Sequence, residues 1–283
     1  MSHELQSVSG LADLIAAHDL FLIDQFGVLH DGQAPYPGAV EALQRLAAAG
    51  KTSIILTNSG KRTAPNAERL VRLGFPRSSF SHVVSSGEVN WHGIDKGSLG
   101  PTFKRSARVH VIGKPGDDYG LDGLELTEVA RPEAAQFLLI VGSDAPRISL
   151  TQYGDRLRQA AAARVPALCA NPDKQMLTAY GLQPAPGAIA EVYEGLGGQV
   201  TFTGKPYAEI YCFALGLVPG TDPSRVISIG DSVEHDVAGA SRIGLHSALI
   251  RQGILASLDS SELARLFELH NARPDFVLDR LVW

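Results

Sequence analysis

Short apolar runs alternate along the chain with segments in which apolar residues recur every three or four positions. The first run, LFLID, covers Leu20–Asp24 and predicts a buried strand. The stretch PGAVEALQRLAAAG follows it, begins at a proline and ends at a glycine, which is typical of a helix. The residues expected on the buried face of this helix are Val40, Leu43, Leu46 and Ala47. The first fifty residues therefore predict one strand-to-helix unit.

The same pattern of strand, loop and helix recurs in KTSIILTNSG, QVTFTGKP, SRVISIGDS and HSALI. Alternation of this kind predicts a mostly parallel, doubly wound α/β sheet of the Rossmann-like type. The middle of the chain has strand candidates of its own, RVHVIG, FLLIVGSD and ALCAN, with the helical stretch LTQYGDRLRQAAAA between the last two. We therefore expect a discontinuous core, residues 1–86 and 203–283, with a second α/β domain inserted over residues 87–202.

Composition narrows the functions that fit this fold. The chain has 283 residues, of which 45% are hydrophobic, and can bury a sizeable core. Its net charge of −5 comes without a basic stripe, so nucleic acid is not an expected partner. Cys169 and Cys212 lie far apart and outside metal-binding spacings, which favours a cytoplasmic protein. Neither a signal peptide nor a run of about eighteen apolar residues is recognisable, so we expect no membrane association.

Polar residues follow four of the predicted strands. They are Asp24 after the first, Thr57, Asn58 and Ser59 after the second, Lys205 after VTFTG, and Asp231 with Asp236 after VISI. Ligands of an open parallel sheet bind outside the carboxyl ends of its strands. Carboxylates, a hydroxyl and a cation at that edge predict a site for Mg²⁺-assisted phosphoryl transfer. Each residue alone also fits a structural role, as a turn residue, a helix cap or a surface lysine, but the ordered set favours function.

The tripeptide Gly-Lys-Pro occurs twice, with its lysine at Lys114 and at Lys205. We prefer Lys205, because the helix after it leads directly to the strand before Asp231, whereas Lys114 lies in the predicted insert. Neither copy is a P-loop, since proline stands where a P-loop has serine or threonine. A glycine-rich dinucleotide fingerprint is also missing after the strands.

The motifs in this order resemble those of the haloacid dehalogenase-like (HAD) hydrolases of subclass IIA, the p-nitrophenyl phosphatase and N-acetylglucosamine-6-phosphate phosphatase type. DQFGVLHDG is similar to their first motif, ILTNSG to the second, TGKP to the third and IGDSVEHDVAGA to the fourth. ANPDK resembles the Asn-Pro-Asp loop of their cap domain. The resemblance implies a HAD core with an inserted type-two cap.

The resemblance also implies roles for single residues. Asp24 would be the nucleophile that forms an aspartyl-phosphate, and Mg²⁺ would be bound by Asp24, Asp231 and the backbone carbonyl of Phe26. The other roles implied are phosphate binding by Thr57, Lys205, Asn58 and Ser59, support of the metal or of Lys205 by Asp236, and substrate contact by Asn171 and Asp173 in the cap. An ordinary Asn-Pro turn is an equally good interpretation of Asn171 and Asp173.

Phe26 departs from the family pattern. HAD phosphatases usually have an aspartate at this position that protonates the leaving group and then activates water, and phenylalanine can do neither. One expectation is a slow phosphatase that acts on substrates with good leaving groups. Another is that His30 or Asp31 takes over as the acid and base, although each of these is better explained as a solvated turn residue. The alternative is a non-catalytic phosphate-binding or regulatory protein on the same fold, whereas a receiver domain is excluded by motif order and length.

The expected substrate is a small phosphorylated metabolite of unspecified identity. Some relatives in the family pair through the cap, and a homodimer is expected only by that analogy.

Overall fold

The computed structural model describes residues 5–178, 181–252, 255 and 258–283. The helices are α1 Ala39–Ala48, α2 Thr63–Arg72, α3 Ser86–Lys96, α4 Leu150–Ala162, α5 Pro186–Gly195, α6 Ala208–Gly216, α7 Ala238–Arg242 and α8 Ser260–Leu269. The strands are β1 Gln6–Ser7, β2 Leu20–Asp24, β3 Thr52–Thr57, β4 His82–Ser85, β5 Arg108–Ile112, β6 Thr127–Glu128, β7 Phe137–Ile140, β8 Ala167–Cys169, β9 Gln175–Thr178, β10 Gly181–Pro184, β11 Val200–Phe202, β12 Val226–Gly230, β13 His246–Ile250 and β14 Phe276–Leu278.

The chain folds into two compact units. The first unit comprises Met1–Thr57, Ala64–Val84 and Lys205–Trp283, and the second comprises Asn58–Thr63 and Ser85–Gly204. In the described part of the chain, no helix is both long enough and apolar enough to cross a membrane.

The first unit is built on a seven-stranded sheet in the order β1-β14-β13-β12-β2-β3-β4. The interior strand β2 is parallel to both neighbours, with Ile23 opposite Ile229 of β12 and Ile55 of β3. One face packs on a core that includes α1 and α2, and the other on a core that includes α7 and α8. A parallel sheet with helices on both faces confirms the predicted doubly wound fold.

The helix predicted after β2 forms as α1, with a small shift of its buried face. Leu43 and Leu46 are fully buried, together with Ala39 and Ala42. Ala47 was expected on this face and is exposed. The buried stripe is therefore centred on the side of the helix that carries Ala39, Ala42 and Leu46.

The second unit has a parallel five-stranded sheet, β11-β8-β7-β5-β6, and an antiparallel hairpin of β9 and β10. Along β7, Leu138 and Ile140 pack with α4 and α5, while Phe137 and Leu139 pack on the opposite core. The position of the strand before Lys205 differs from the expectation from the sequence. We expected its end at the edge that carries Asp24, but β11 pairs with β8 of the second unit.

A partly buried ion pair connects the chain after β3 to α3 within the second unit. Two Arg62 nitrogens, Nε and Nη2, donate to the Glu88 carboxylate at 2.8 Å, and the N–H of Thr63 donates to it at 3.0 Å. Burial alone would raise the pKa of Glu88, but the hydrogen bonds from Arg62 and Thr63 lower it to about 2. Glu88 therefore stays charged in the folded protein well below the pH at which it protonates in the unfolded chain.

This depressed pKa makes stability depend on pH. The contribution of Glu88 is complete above pH 4.5, the ordinary pKa of the group, and is lost as the pH falls from there toward 2. We expect the loss to be on the order of 2 kcal/mol, allowing for partial exposure. Urea unfolding at pH 7 and at pH 3 should show a smaller acid-induced loss in Glu88→Gln than in wild type. Glu194→Gln, at an exposed position of the same unit, is the control, and equal losses in all three proteins would contradict the assignment.

Candidate active site

The register of the first sheet brings three of the candidate residues to one edge. Asp24 is the last residue of β2 and lies opposite Leu56, so Thr57 at the end of β3 is one position further along the same edge. On the other side, Ile229 pairs with Ile23, and Asp231 directly follows β12. Parallel strands end at a common edge, and this is why residues distant in sequence meet here.

Lys205 lies at this edge and bonds two of its carboxylates. Its Nζ donates to Asp24 Oδ1 at 2.5 Å and to Asp236 Oδ1 at 2.7 Å, and its side chain is 3% exposed. Burial alone would lower the pKa of Lys205, but the two carboxylates raise it above its ordinary value, so the ammonium stays charged. Burial raises the pKa of Asp24 to about 7, against the opposing effect of Lys205. The lysine thus holds the Asp24 carboxylate in one orientation.

Asp236 is carried by a π-helical turn, Val233–Val237, which begins just after Asp231. Its Oδ2 accepts the N–H of Ser232 at 3.2 Å, while Oδ1 faces Lys205. Asp236 is 2% exposed. Its two oxygens are therefore engaged by a backbone donor and by the lysine.

The three carboxylates have the geometry of a cation site. Asp24, Asp231 and Asp236 each offer an oxygen, and these oxygens lie within 4.8 Å of one another. A Cβ on Gly27 would lie 2.1 Å from Asp231 Oδ2, and Gly27 has a φ of +86°, so only glycine leaves room for this carboxylate. The Lys205 ammonium bonds two of these carboxylates, and hard oxygen donors of this kind suit Mg²⁺. The residues present therefore fit the metal that the resemblance implies.

Phe26 is 40% exposed, and its ring lies against the loop that follows it. The ring meets His30 edge to face, with centroids 5.6 Å apart, and a Cβ on Gly32 would lie 2.9 Å from Phe26 Cε2. The expectation that His30 is a solvated turn residue is wrong, because His30 is fully buried. Its Nδ1 accepts the N–H of Gly32, and burial lowers its pKa to about 4. A neutral, buried imidazole is a poor proton donor at neutral pH.

Asp31, the other neighbour considered as an acid, is a turn residue. It is exposed, and its Oδ1 accepts the N–H groups of Gln33 and Ala34 at 2.8 Å each. These hydrogen bonds lower its pKa below the ordinary value, which keeps the carboxylate charged. The expectation of a turn residue is thus confirmed for Asp31.

The second unit carries the residues that follow Thr57. Asn58 is buried, and its Nδ2 donates to Asp173 Oδ1 at 2.8 Å. Ser59 has a turn geometry, with Oγ accepting the N–H of Lys61 at 3.3 Å and its carbonyl accepting the N–H of Gly87 at 3.0 Å. Asn58 and Asp173, expected to contact phosphate and substrate respectively, are therefore in direct contact with each other.

Asn171 shapes the loop in which Asp173 lies. Its Oδ1 accepts the N–H of Asp173 at 2.9 Å, which is the hydrogen bond of an Asx turn. The thiol of Cys169 donates to the Asn171 carbonyl at 3.2 Å. The Asn171 side chain thus takes part in the turn that the sequence offered as the alternative to a substrate contact.

The sequence analysis missed three residues that shape these sites. Gly27 leaves space for Asp231, Ser232 bonds Asp236, and Ser86 donates to Asn58 Oδ1 at 3.4 Å. The glycine three positions after Asp24 was a signal in the sequence, but nothing marked Ser86. The other Gly-Lys-Pro copy lies in the second unit, where Lys114 is exposed and its N–H donates to the Tyr119 hydroxyl.

Comparison with known proteins shows the family to which the chain belongs. The profile of the haloacid dehalogenase-like hydrolase family matches residues 21–127, and that of the HAD-hydrolase-like family matches residues 202–283. A haloacid dehalogenase-like hydrolase from Brucella suis 1330 is 30% identical over 97% of this chain and 100% of its own, with a TM-score of 0.83. The chain belongs to the haloacid dehalogenase-like hydrolase family.

Two further solved structures that are similar to the chain are phosphatases. Glycerol phosphate phosphatase from Mycobacterium tuberculosis, in complex with magnesium, is 25% identical over 93% of this chain and 76% of its own, with a TM-score of 0.71. The p-nitrophenyl phosphatase from Archaeoglobus fulgidus is 24% identical over 93% of this chain and 96% of its own, with a TM-score of 0.70. It shows the shared fold. The resemblance to subclass IIA and the expectation of a hydrolase are confirmed.

Proposed function

We propose that the protein is a Mg²⁺-dependent phosphatase of a small phosphorylated metabolite that works through an aspartyl-phosphate on Asp24. The observation that carries this proposal is the buried Lys205, bonded at once to Asp24 and Asp236 on the edge that also holds Asp231. A solvated lysine or a capping aspartate would not explain an ammonium that is 3% exposed among three carboxylates.

In the proposed reaction, an Asp24 oxygen attacks the phosphorus, and the bond from phosphorus to the ester oxygen breaks. Lys205 and Thr57 bind the oxygens of the transferred group, where charge is present throughout the reaction. The leaving oxygen departs with the electron pair of the broken bond. Water then attacks the aspartyl-phosphate, which releases phosphate and restores the Asp24 carboxylate.

Mg²⁺ would be held by Asp24, Asp231 and the carbonyl of Phe26, and when bound it supplies positive charge for the phosphoryl oxygens. A backbone carbonyl is present whatever the side chain at position 26, so the substitution by phenylalanine leaves this ligand in place. Asp236 holds Lys205 and thereby keeps the ammonium directed at Asp24. Asn58 and Ser59 follow Thr57 in the chain and would complete the phosphate-binding segment.

Phe26 sets the expected substrate preference. The usual acid and base is missing, and His30 is neutral and buried, so a leaving group must depart without a proton from either side chain. Aryl and acyl phosphates, whose leaving groups are weak bases, should therefore be better substrates than sugar phosphates. The same feature favours the second candidate, a phosphate-binding or regulatory protein without turnover.

One experiment separates the two candidates. Phosphate monoesters and acyl phosphates graded by the pKa of the leaving group are assayed with the wild-type protein, with Mg²⁺ and with a chelator. We expect turnover that requires Mg²⁺ and rises steeply as the leaving-group pKa falls. Binding of inorganic phosphate without turnover of any substrate would favour the second candidate.

The metal assignment predicts the effect of Asp231→Asn. Replacing one carboxylate by an amide removes a charged ligand, and we expect Mg²⁺ affinity to fall roughly tenfold or more. Isothermal titration calorimetry of wild type and variant measures the change. The matched control is Asp279→Asn, at an exposed position. Equal Mg²⁺ affinity in Asp231→Asn and wild type would rule out Asp231 as a ligand.

Three further expectations from the sequence stay predictions. These are the cap role of residues 87–202, the cytoplasmic location and the homodimer.

A further inference from the structure

We propose that Asp173 is a positioning residue that acts through Asn58, and not a group that contacts the leaving group of the substrate. This inference rests on the proposed phosphatase function. It assigns to the Asn-Pro-Asp loop the task of fixing the segment that follows Thr57, the segment proposed to bind phosphate. The consequence is that Asp173 should affect every phosphate substrate alike.

The Asn58 side chain is fixed at both ends of its amide. Nδ2 donates to Asp173 Oδ1 at 2.8 Å, and Oδ1 accepts the Ser86 hydroxyl at 3.4 Å. Asn58 is 5% exposed, Ser86 is fully buried and Asp173 is half-buried, so the Asn58 amide itself is largely shielded from water. An amide held in this way has one orientation, and the backbone between Thr57 and Ser59 is fixed with it.

The loop that brings Asp173 to Asn58 is itself rigid. Asn171 closes the Asx turn onto the N–H of Asp173, and the Asp173 carbonyl accepts the N–H of Gly187 in α5 at 2.9 Å. A Cβ on Gly187 would lie 2.0 Å from the Pro172 carbonyl oxygen. The first turn of α5 is therefore packed directly on the loop backbone, and a small shift of the carboxylate away from Asn58 would require the loop to move.

The segment before Lys205 is packed against the same group of atoms. A Cβ on Gly204 would lie 2.6 Å from Asn58 Oδ1, from Pro172 Cδ and from Ser86 Oγ. One position earlier, the Thr203 hydroxyl donates to Asn90 Oδ1 at 2.5 Å, on the same face of α3 as Ser86. Within the second unit, the segment that follows Thr57 and the segment that precedes Lys205 thus pack on one cluster, which consists of Asn58, Ser86, Asp173 and Gly204.

These contacts separate a positioning role from a substrate contact. A side chain that touches the leaving group changes the rate to a degree that depends on the leaving group. A side chain that positions the phosphate-binding segment changes all substrates by one factor and also changes the affinity for inorganic phosphate, which has no leaving group. A displacement of about 1 Å in a binding group can cost a hundredfold in rate.

The test compares Asp173→Ala and Asp173→Asn with wild type. We measure kcat and KM over aryl and alkyl phosphates graded by leaving-group pKa, and the inhibition constant of inorganic phosphate. In Asp173→Ala, kcat/KM should fall roughly tenfold to a hundredfold, and the factor should be the same for every substrate. Inhibition by inorganic phosphate should also be weaker. Asp173→Asn should stay close to wild type, because its amide oxygen can still accept the Asn58 Nδ2–H. Thermal melts establish that both variants are folded.

Two further variants complete the design. Asp155→Ala, at an exposed ion pair of α4 in the same unit, is the matched control and should change nothing. Asn58→Ala combined with Asp173→Ala should be no worse than Asn58→Ala alone, because both changes remove one interaction. A loss that varies with the leaving group, additive losses in the double variant, or wild-type kinetics in Asp173→Ala would overturn the inference.

Failure of the proposed function has a different signature. If the proposed function is wrong, the wild-type protein will hydrolyse none of the substrates. Binding of inorganic phosphate, measured by calorimetry in wild type and Asp173→Ala, then decides whether Asp173 positions the phosphate site. Equal affinity in the two proteins, or no binding to wild type, would overturn the inference.

Discussion

Replacing Asp24 with asparagine is expected to reduce phosphatase turnover on the order of 10⁴-fold or more, as removal of a covalent nucleophile does in other enzymes. The amide keeps the size of the carboxylate and an oxygen for Lys205, so the buried edge should stay folded. The amide is, however, too weak a nucleophile to form the acyl phosphate. Steady-state kinetics with the best aryl phosphate substrate and with Mg²⁺ measure the loss.

A second measurement on the same variant tests whether Asp24 accepts a phosphoryl group. Beryllium fluoride with Mg²⁺ mimics a phosphoryl group on a carboxylate, and it should inhibit wild type and fail to load Asp24→Asn. Asp279→Asn is the control and should behave as wild type in both assays. Turnover at the wild-type level in Asp24→Asn would refute covalent catalysis and point to direct attack by water.

The sheet edge that carries Asp24 was predictable because its elements are encoded locally. A run of buried apolar residues ending in a polar one shows both the strand and where it stops, as LFLID does for β2. Parallel pairing then brings strand ends together without further information. Asp24, Thr57 and Asp231 follow from this rule alone, and Lys205 followed from the order of the motifs.

The rest of the site depends on contacts that no local pattern encodes. Asn58 and Asp173 are 115 positions apart, and only the folded second unit shows that they hold each other. The pairing of β11 with β8 is of the same kind, since an apolar run does not reveal which sheet it joins. His30 was expected to be a solvated residue of the glycine-containing turn after β2, yet the fold of its own loop buries it.

For Phe26, one part of its role was predictable from the sequence and another was not. The sequence shows that the usual acid is missing, and the structure shows what the ring does instead. It covers His30 edge to face and closes against Gly32, while 40% of the residue stays exposed. Restoring an aspartate would therefore uncover part of a buried histidine, and we expect a cost of about 1 kcal/mol in the free energy of unfolding.

Phe26→Asp should raise the turnover of alkyl phosphates more than that of aryl phosphates, with little change in Mg²⁺ affinity. The new carboxyl group can protonate a poor leaving group and then activate water, an effect worth about a hundredfold or more where the leaving group is a strong base. An aryl oxide leaves readily without a proton and gains less. The backbone carbonyl proposed as a metal ligand is the same in both proteins, so calorimetry should give similar Mg²⁺ affinities.

The decisive quantity is the ratio of alkyl to aryl turnover in wild type, Phe26→Asp and Phe26→Asn. Asparagine has the size of aspartate but no acidic proton, so the ratio should rise in Phe26→Asp and stay at the wild-type value in Phe26→Asn. Thermal melts check that both variants are folded, since both remove the ring from His30. A rise in both variants would mean that the ring had merely obstructed larger substrates. An unchanged ratio in folded Phe26→Asp would mean that another group already supplies the proton, or that phosphate ester hydrolysis is not the reaction of this protein.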